Sequence, residues 1–298
     1  MEMTRGLATM TDRARIRWTA LGDTVRRPPV VMLHGGPGLP DYLGDVAATV
    51  ADLAPVYRYG QRGTAGSPWQ GRHTFARHVD DLAELLDAWD APSAVLVGHS
   101  YGAALAARFC LAHPDRVGAL LMCGPFVGEW RTGDRAARER RMSPAQRERL
   151  LELQRSAHRT DDQETELLTL SWFTDHADPV RGRHWAEQGA RQRRPVNWAM
   201  NRELGEEGRA DPLDHHLDEL RGSLPARVEI LGGAEDPRPL SALRSLALRL
   251  DVPLTRIDGA GHEPWLEQPD VTRAHLRRFV RGAAGPSGSD RHASRTGG

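Results

Sequence analysis

The chain contains no lysine; arginine carries all of its positive charge, and 40 acidic residues balance those 40 for a formal net charge of zero. That balance excludes the strongly basic face with which a protein grips a phosphate backbone, so nucleic acid is not an expected partner. The all-arginine usage reads as GC-rich coding and carries no functional inference.

Long apolar runs are missing as well. No stretch approaches the roughly 18 to 20 residues that span a bilayer, and Met1 to Thr11 lack the charged start and long apolar segment of a secretory signal. No membrane partner is expected, and the default location is the cytoplasm. Cysteine is scarce: Cys110 and Cys123 lie in apolar segments, where buried free thiols are expected rather than a disulfide or a metal pair. His215-His216 is an adjacent histidine pair without convincing partner spacing, so it reads as part of a surface helix and no metal site is expected.

What is present is a chain of 298 residues, 39% hydrophobic, enough for one large α/β domain with an insertion or for two small domains. Ala14 to Ala20 alternates like a half-exposed strand, while Val30 to Leu33 is a continuous apolar run that suits a strand buried on both faces. Tyr42 to Leu53 and Phe75 to Trp89 have helical spacing, with strands expected at Val56 to Tyr59, Ala94 to Val97 and Ala119 to Met122. Strands alternating with helices predict a parallel sheet with right-handed crossovers. Residues 125–224 are charged and helix-forming, as at Ser143 to Ser156, Asp162 to Phe173 and Asn197 to Leu204, and read as an inserted helical lid. Strand rhythm returns at Arg227 to Leu231 and Leu254 to Ile257, with helices over Leu240 to Leu250 and Asp270 to Arg281. The expected organisation is a core of residues 1–124 and 225–281, a lid of 125–224, and a disordered tail of 282–298.

The chemistry is concentrated at Gly98-His99-Ser100-Tyr101-Gly102, a G-x-S-x-G sequence directly after the apolar run Ala94 to Val97. A serine in such a strand-to-helix turn is held in strained geometry with its hydroxyl projecting above the sheet. A hydroxyl is a poor nucleophile until a histidine takes its proton and a carboxylate orients that histidine. Asp236, past the strand ending at Leu231, is the candidate acid, with Glu235 its competitor. His262, in Gly259-Ala260-Gly261-His262-Glu263, is the best placed of the 13 histidines. Two backbone N–H groups must meet the developing oxyanion: one is expected from Tyr101, the other from Gly36, with Gly35 as the alternative, in His34-Gly35-Gly36-Pro37-Gly38.

That glycine loop, Gln61-Arg62-Gly63, the serine pentapeptide and Gly261-His262-Glu263-Pro264-Trp265-Leu266-Glu267 together resemble the α/β-hydrolase superfamily from about residue 13 to residue 281. The glycine loop and the Gln-Arg-Gly turn are similar, more narrowly, to the prolyl aminopeptidase (proline iminopeptidase) family. The resemblance implies an α/β-hydrolase fold, with a mostly parallel central sheet flanked by helices and an inserted helical lid. It also implies a serine exopeptidase that releases an N-terminal residue from short peptides or amides with neither a metal nor an organic cofactor. Acidic lid residues of that family hold the substrate ammonium group, which makes Glu203, then Glu206, the candidates in Asn201 to Glu207. Trp172, Phe173, Trp185 and Trp198 are available to line a substrate pocket, and at least two of them are expected simply to pack the lid.

The chain departs from that family at Gly60, where an aspartate is usual, and at His99 and Tyr101, where glycine and tryptophan are frequent. These departures leave the acyl-transfer parts intact and bear on the substrate. An esterase or lactonase acting on a small metabolite is the alternative, and a non-hydrolytic biosynthetic enzyme or ligand receptor is a further one, since fold does not fix function.

Overall fold

The computed structural model describes residues 2–23, 28–126 and 130–283. Eight strands form a sheet: β1 (Met3–Thr9), β2 (Arg15–Leu21), β3 (Val30–Leu33), β4 (Val56–Tyr59), β5 (Ala94–His99), β6 (Val117–Cys123), β7 (Val228–Gly233) and β8 (Leu254–Ile257). Their spatial order is β1-β2-β4-β3-β5-β6-β7-β8. The β1–β2 and β2–β4 pairs are antiparallel, and every pair from β4 to β8 is parallel.

The helices are α1 (Gly44–Ala48), α2 (Phe75–Ala88), α3 (Tyr101–Ala112), α4 (Trp130–Arg141), α5 (Pro144–Arg155), α6 (Asp161–Trp172), α7 (Pro179–Gln192), α8 (Trp198–Ala210), α9 (Leu217–Ser223), α10 (Leu240–Leu250), α11 (Pro264–Glu267) and α12 (Pro269–Ala283). None of the described helices is long and apolar enough to cross a membrane.

Both faces of the sheet are covered, which is why its central strands are apolar without interruption. Successive residues of β3 divide between the two cores. Val30 and Met32 pack with Val95, Val97 and Phe279 of α12; Val31 and Leu33 pack with Leu82 of α2, Leu105 of α3 and Leu243 of α10. Cys110 and Cys123 are free and buried, one in each core.

Between β6 and β7 the chain runs through α4 to α9. The starts of α5 and α6 are local: Ser143 and Thr160 each accept from the third amide of their helix and are answered by Gln146 and Gln163. Leu150, Leu153, Leu167, Leu170 and Phe173 form a separate apolar cluster within this insertion. Met200, Leu204, Leu217 and Leu220 instead join the core on the α3 side of the sheet, so the insertion's last helices pack as part of the main body.

Three local expectations change. β1 has no counterpart in the sequence reading, because this edge strand leaves most of its residues exposed. The helix expected from Tyr42 to Leu53 is confined to α1, after which Thr49, Val50 and Leu53 donate to the third residue back at 3.1, 3.2 and 2.9 Å, a tighter winding. α12 continues to Ala283, two residues into the expected tail; residues 284–298 of that tail lie outside the described residues.

Candidate active site

The serine pentapeptide closes the turn from β5 to α3. Ser100 has φ 58° and ψ −121°, a conformation that side-chain-bearing residues rarely adopt. The flanking glycines permit it: a Cβ at Gly98 would lie 2.4 Å from the carbonyl oxygen of Gly102, and one at Gly102 would lie 2.0 Å from that of Leu33.

Asp236 follows β7 and His262 follows β8, both at the carboxyl edge of the parallel strands, where loops of such sheets converge. His262 Nδ1 is 2.7 Å from Asp236 Oδ2. The other carboxylate oxygen accepts from the Arg238 backbone amide at 2.9 Å and its guanidinium at 3.3 Å. Burial acts to raise the Asp236 carboxyl, but the charges of His262 and Arg238 and their hydrogen bonds outweigh it and hold the group well below the usual range. His262 Nε2 is buried with no hydrogen-bond partner among the described residues. Its ring and Ser100 line the same cavity, of about 250 Å³. Glu235, the competing acid, accepts from the Ala260 amide at 3.1 Å.

Of the two candidate glycine donors, the Gly35 amide is engaged, giving its hydrogen to the Tyr42 hydroxyl at 2.9 Å. Gly36 lines the cavity, and the Tyr101 amide is the first of α3, one of the helix-start amides that have no intrahelical acceptor. The loop is set by His34, whose Nδ1 lies 2.9 Å from the Gly35 carbonyl oxygen, and by Gln61, whose side-chain amide donates to the His34 carbonyl at 2.8 Å. Position 60 has no room for the aspartate usual in the resembled family: a Cβ there would already lie 2.9 Å from the Ala65 carbonyl oxygen. Arg62 is buried and pairs with Asp81 and Asp12, which gives the Gln-Arg-Gly turn a structural anchor.

The insertion roofs the cavity. The Asp175 carbonyl accepts from the His262 amide at 2.8 Å, and a Cβ at Gly261 would lie 2.0 Å from that same oxygen, so the histidine loop and the insertion touch backbone to backbone. Arg141 bonds the carbonyls of His176 and Glu235, each at 2.9 Å, tying α4 to the loop that carries Asp236.

The lid residues expected to meet substrate lie elsewhere. Glu203 accepts from the His73 amide at 2.8 Å, Glu206 is exposed, and Trp198 is on the surface, its indole donating to Glu164 at 2.7 Å. None of the three lines the cavity. The reason is that α8 turns its apolar side, Met200 and Leu204, toward the α3 side of the core. Trp172 and Trp185 do line the cavity, whereas Phe173 is buried in the insertion's own cluster. The sequence reading missed three ion pairs that supply the walls: Asp134 with Arg138 at 3.0 Å, Asp175 with Arg238 at 3.0 Å, and Glu263 with Arg193 at 2.9 Å. Burial acts to raise the Glu263 carboxyl, but Arg193 outweighs it and holds it down to about 2. The four-residue spacing of Asp134 and Arg138 in α4 is a local signal that the reading passed over; nothing local marks the other two pairs, whose members lie 63 and 70 positions apart.

The parts assembled around this cavity are a buried hydroxyl on a strained turn, an imidazole whose Nε2 has no partner among the described residues, and a buried carboxylate behind it. A sequence profile described as the alpha/beta hydrolase family matches residues 30–275. The chain belongs to that family. Among curated relatives, this α/β hydrolase is 33% identical over 102 residues to a proline iminopeptidase of Heyndrickxia coagulans, a match covering 33% of this chain and 35% of the relative. The aligned stretch thus spans about a third of that relative's length. In structure the α/β hydrolase resembles a proline iminopeptidase-related protein of Thermus thermophilus with TM-score 0.68 and 19% identity, covering 95% of this chain and 99% of the other. It equally resembles a 2-hydroxy-6-oxo-6-phenylhexa-2,4-dienoate hydrolase of a Rhodococcus species with TM-score 0.69 and 19% identity, covering 94% and 99%. At such identities these likenesses speak for the fold.

Proposed function

We propose that this α/β hydrolase is a serine hydrolase that cleaves carboxylic esters through an acyl-enzyme. Ser100 Oγ attacks the carbonyl carbon as its proton passes to His262 Nε2; Asp236 holds the opposite ring nitrogen and stabilises the imidazolium. The Gly36 and Tyr101 amides receive the negative oxygen. Collapse breaks the bond to the alcohol, which leaves with the proton from His262, and water repeats the sequence to free the acid. The observation that carries this reading is the 2.7 Å contact of His262 with Asp236, with Nε2 left unpartnered in the cavity that Ser100 lines.

The ester is preferred to the peptide because of charge. Among the residues lining the cavity, the carboxylates Asp134, Asp175 and Glu263 are matched by Arg138, Arg238 and Arg193, of which Arg238 also serves Asp236 behind His262, so the lining itself holds no standing excess of negative charge for a substrate ammonium. One atom favours the second reading, an aminopeptidase: Asp134 Oδ1 is buried without a hydrogen-bond partner among the described residues and is chemically suited to accept from an amine.

The test is turnover of short aryl esters beside proline and leucine arylamides, with labelling by a fluorophosphonate, on wild type and Ser100→Ala. Ester hydrolysis and labelling that both vanish in Ser100→Ala are expected. Equal labelling of the two proteins would overturn the mechanism, and arylamide turnover that Asp134→Asn removes would move the assignment to the peptidase.

A further inference from the structure

A second cavity, of about 510 Å³, lies against the first and shares Gly36 and Phe126 with it. Tyr101, the residue after the proposed nucleophile, forms part of its wall. The two spaces therefore meet where the carbonyl of a substrate on Ser100 would lie, with the Phe126 ring, stacked at 5.8 Å on His262, at the boundary.

Their walls differ in chemistry. The first cavity is bounded by the three ion pairs, whose polar groups an aliphatic chain would strip of water without replacing any hydrogen bond. The second also has charged groups on its wall, Arg108, Arg202, Arg209 and Asp214, but its exposed lining is predominantly apolar. On the insertion side α8 closes it through Leu204, Gly205 and Gly208. Glycine is a poor helix former, and neither of these two is required by its surroundings. Neither has the positive φ that favours glycine, and a Cβ would meet nothing closer than Arg209 Nη1 at 3.7 Å from position 205 and Phe75 Cε2 at 3.6 Å from position 208. What their missing side chains do is leave the cavity open.

We propose that the second cavity receives the aliphatic acyl chain of the substrate, which runs from the Ser100 carbonyl past Phe126 and along Gly205 and Gly208, while the alcohol side occupies the charged first cavity. The assignment rests on the reading of Ser100 as nucleophile and gives it a substrate class: esters of medium-chain fatty acids. Each methylene moved from water into such a site is worth about 0.8 kcal/mol, roughly fourfold in kcat/KM, until the space is filled.

The experiment measures kcat/KM for p-nitrophenyl esters from acetate to decanoate, a series in which the leaving group is constant. Wild type, Gly205→Leu, Gly208→Leu and the control Gly222→Ala are compared; Gly222 has nothing within 4 Å of a built Cβ. Calorimetry of decanoate binding to Ser100→Ala, alone and combined with Gly208→Leu, supplies a readout independent of turnover. The expected result is a rise with chain length in wild type and in Gly222→Ala, and a decanoate-to-acetate ratio at least tenfold lower in the two leucine variants. A rising profile that neither leucine variant shifts, with Ser100-dependent turnover intact, would overturn the cavity assignment and leave the serine hydrolase standing, as would a flat wild-type profile. Decanoate binding that Gly208→Leu weakens, in a protein whose ester turnover does not depend on Ser100, would keep the assignment and remove the catalytic reading.

Discussion

The hydroxyl of Tyr42 lies 2.6 Å from Nδ1 of His99. The direction of this bond follows from its neighbours. His99 Nε2 is 2.9 Å from the His262 carbonyl, which can only accept, so Nε2 carries the hydrogen and Nδ1 of the neutral ring accepts from Tyr42. The Tyr42 oxygen in turn accepts from the Gly35 amide. One chain of hydrogen bonds thus joins the glycine loop, the residue before the nucleophile, and the backbone of His262.

Tyr42→Phe removes the middle of that chain and leaves two buried polar groups unpaired. We expect a loss of about 1–3 kcal/mol in unfolding free energy, read by urea denaturation. As the Gly36 amide drifts from its position, kcat for ester hydrolysis should fall on the order of ten- to a hundredfold. An unchanged kcat would show that the glycine loop is held without Tyr42.

Asp236→Asn keeps the shape of the acid and removes its charge. A neutral amide neither fixes the same His262 tautomer nor stabilises the imidazolium, so kcat should drop on the order of 10⁴-fold. Combining Ser100→Ala with His262→Ala should cost little more than either change alone, since the residues act as one unit. Steady-state kinetics on one aryl ester checks both statements, and additive losses would contradict them.

His99 gives the stability a pH dependence of known sign. Burial, reinforced by the neighbouring His262, pushes its pKa from 6.5 down to about 3. Between those values the unfolded chain binds a proton that the folded protein refuses, so the stabilisation present above pH 6.5 is lost as the pH falls toward about 3. Urea unfolding across this window should show wild type losing stability more steeply than His99→Gln, by up to about 1.4 kcal/mol per pH unit. Parallel curves would mean that His99 titrates normally.

The Arg62–Asp81 pair is closed to solvent, with side-chain exposures of 0% and 1%. Asp81→Asn leaves the buried guanidinium only the partly exposed Asp12 as a charged partner, so it should lower stability by about 1.5–3 kcal/mol. The same substitution at exposed Asp87, which pairs with Arg116 at 2.8 Å, should cost less than about 1 kcal/mol. Equal effects in thermal or urea unfolding would refute the contrast.

Elements whose signal is local were readable from the residues. Val30 to Leu33 must be buried on both faces, and Ser143 marks a helix start through its bond to the Gln146 amide. β1 was not readable, since an edge strand needs no apolar alternation once its partner supplies the pairing. Glu203 and Glu206 illustrate the opposite limit: a cluster of acids on a helix is the same string whichever way the helix rolls, and Met200 and Leu204 decided the roll by burying against the core.

The amino-acid sequence alone therefore determined the hydrolase fold and the strained serine turn, because both depend on short-range sterics and on the burial of neighbouring residues. It placed Ser100, Asp236 and His262 in a chemically meaningful order but said nothing of distance. Tertiary structure decided that the imidazole and the carboxylate meet at 2.7 Å, that Tyr42 reaches His99, and that arginines 138, 193 and 238 neutralise the cavity's acids. Apart from Arg138 with Asp134, neighbours one turn apart in α4, those contacts join segments far apart along the chain, and only the packing of the insertion and the loops over the sheet edge brings their atoms within bonding range.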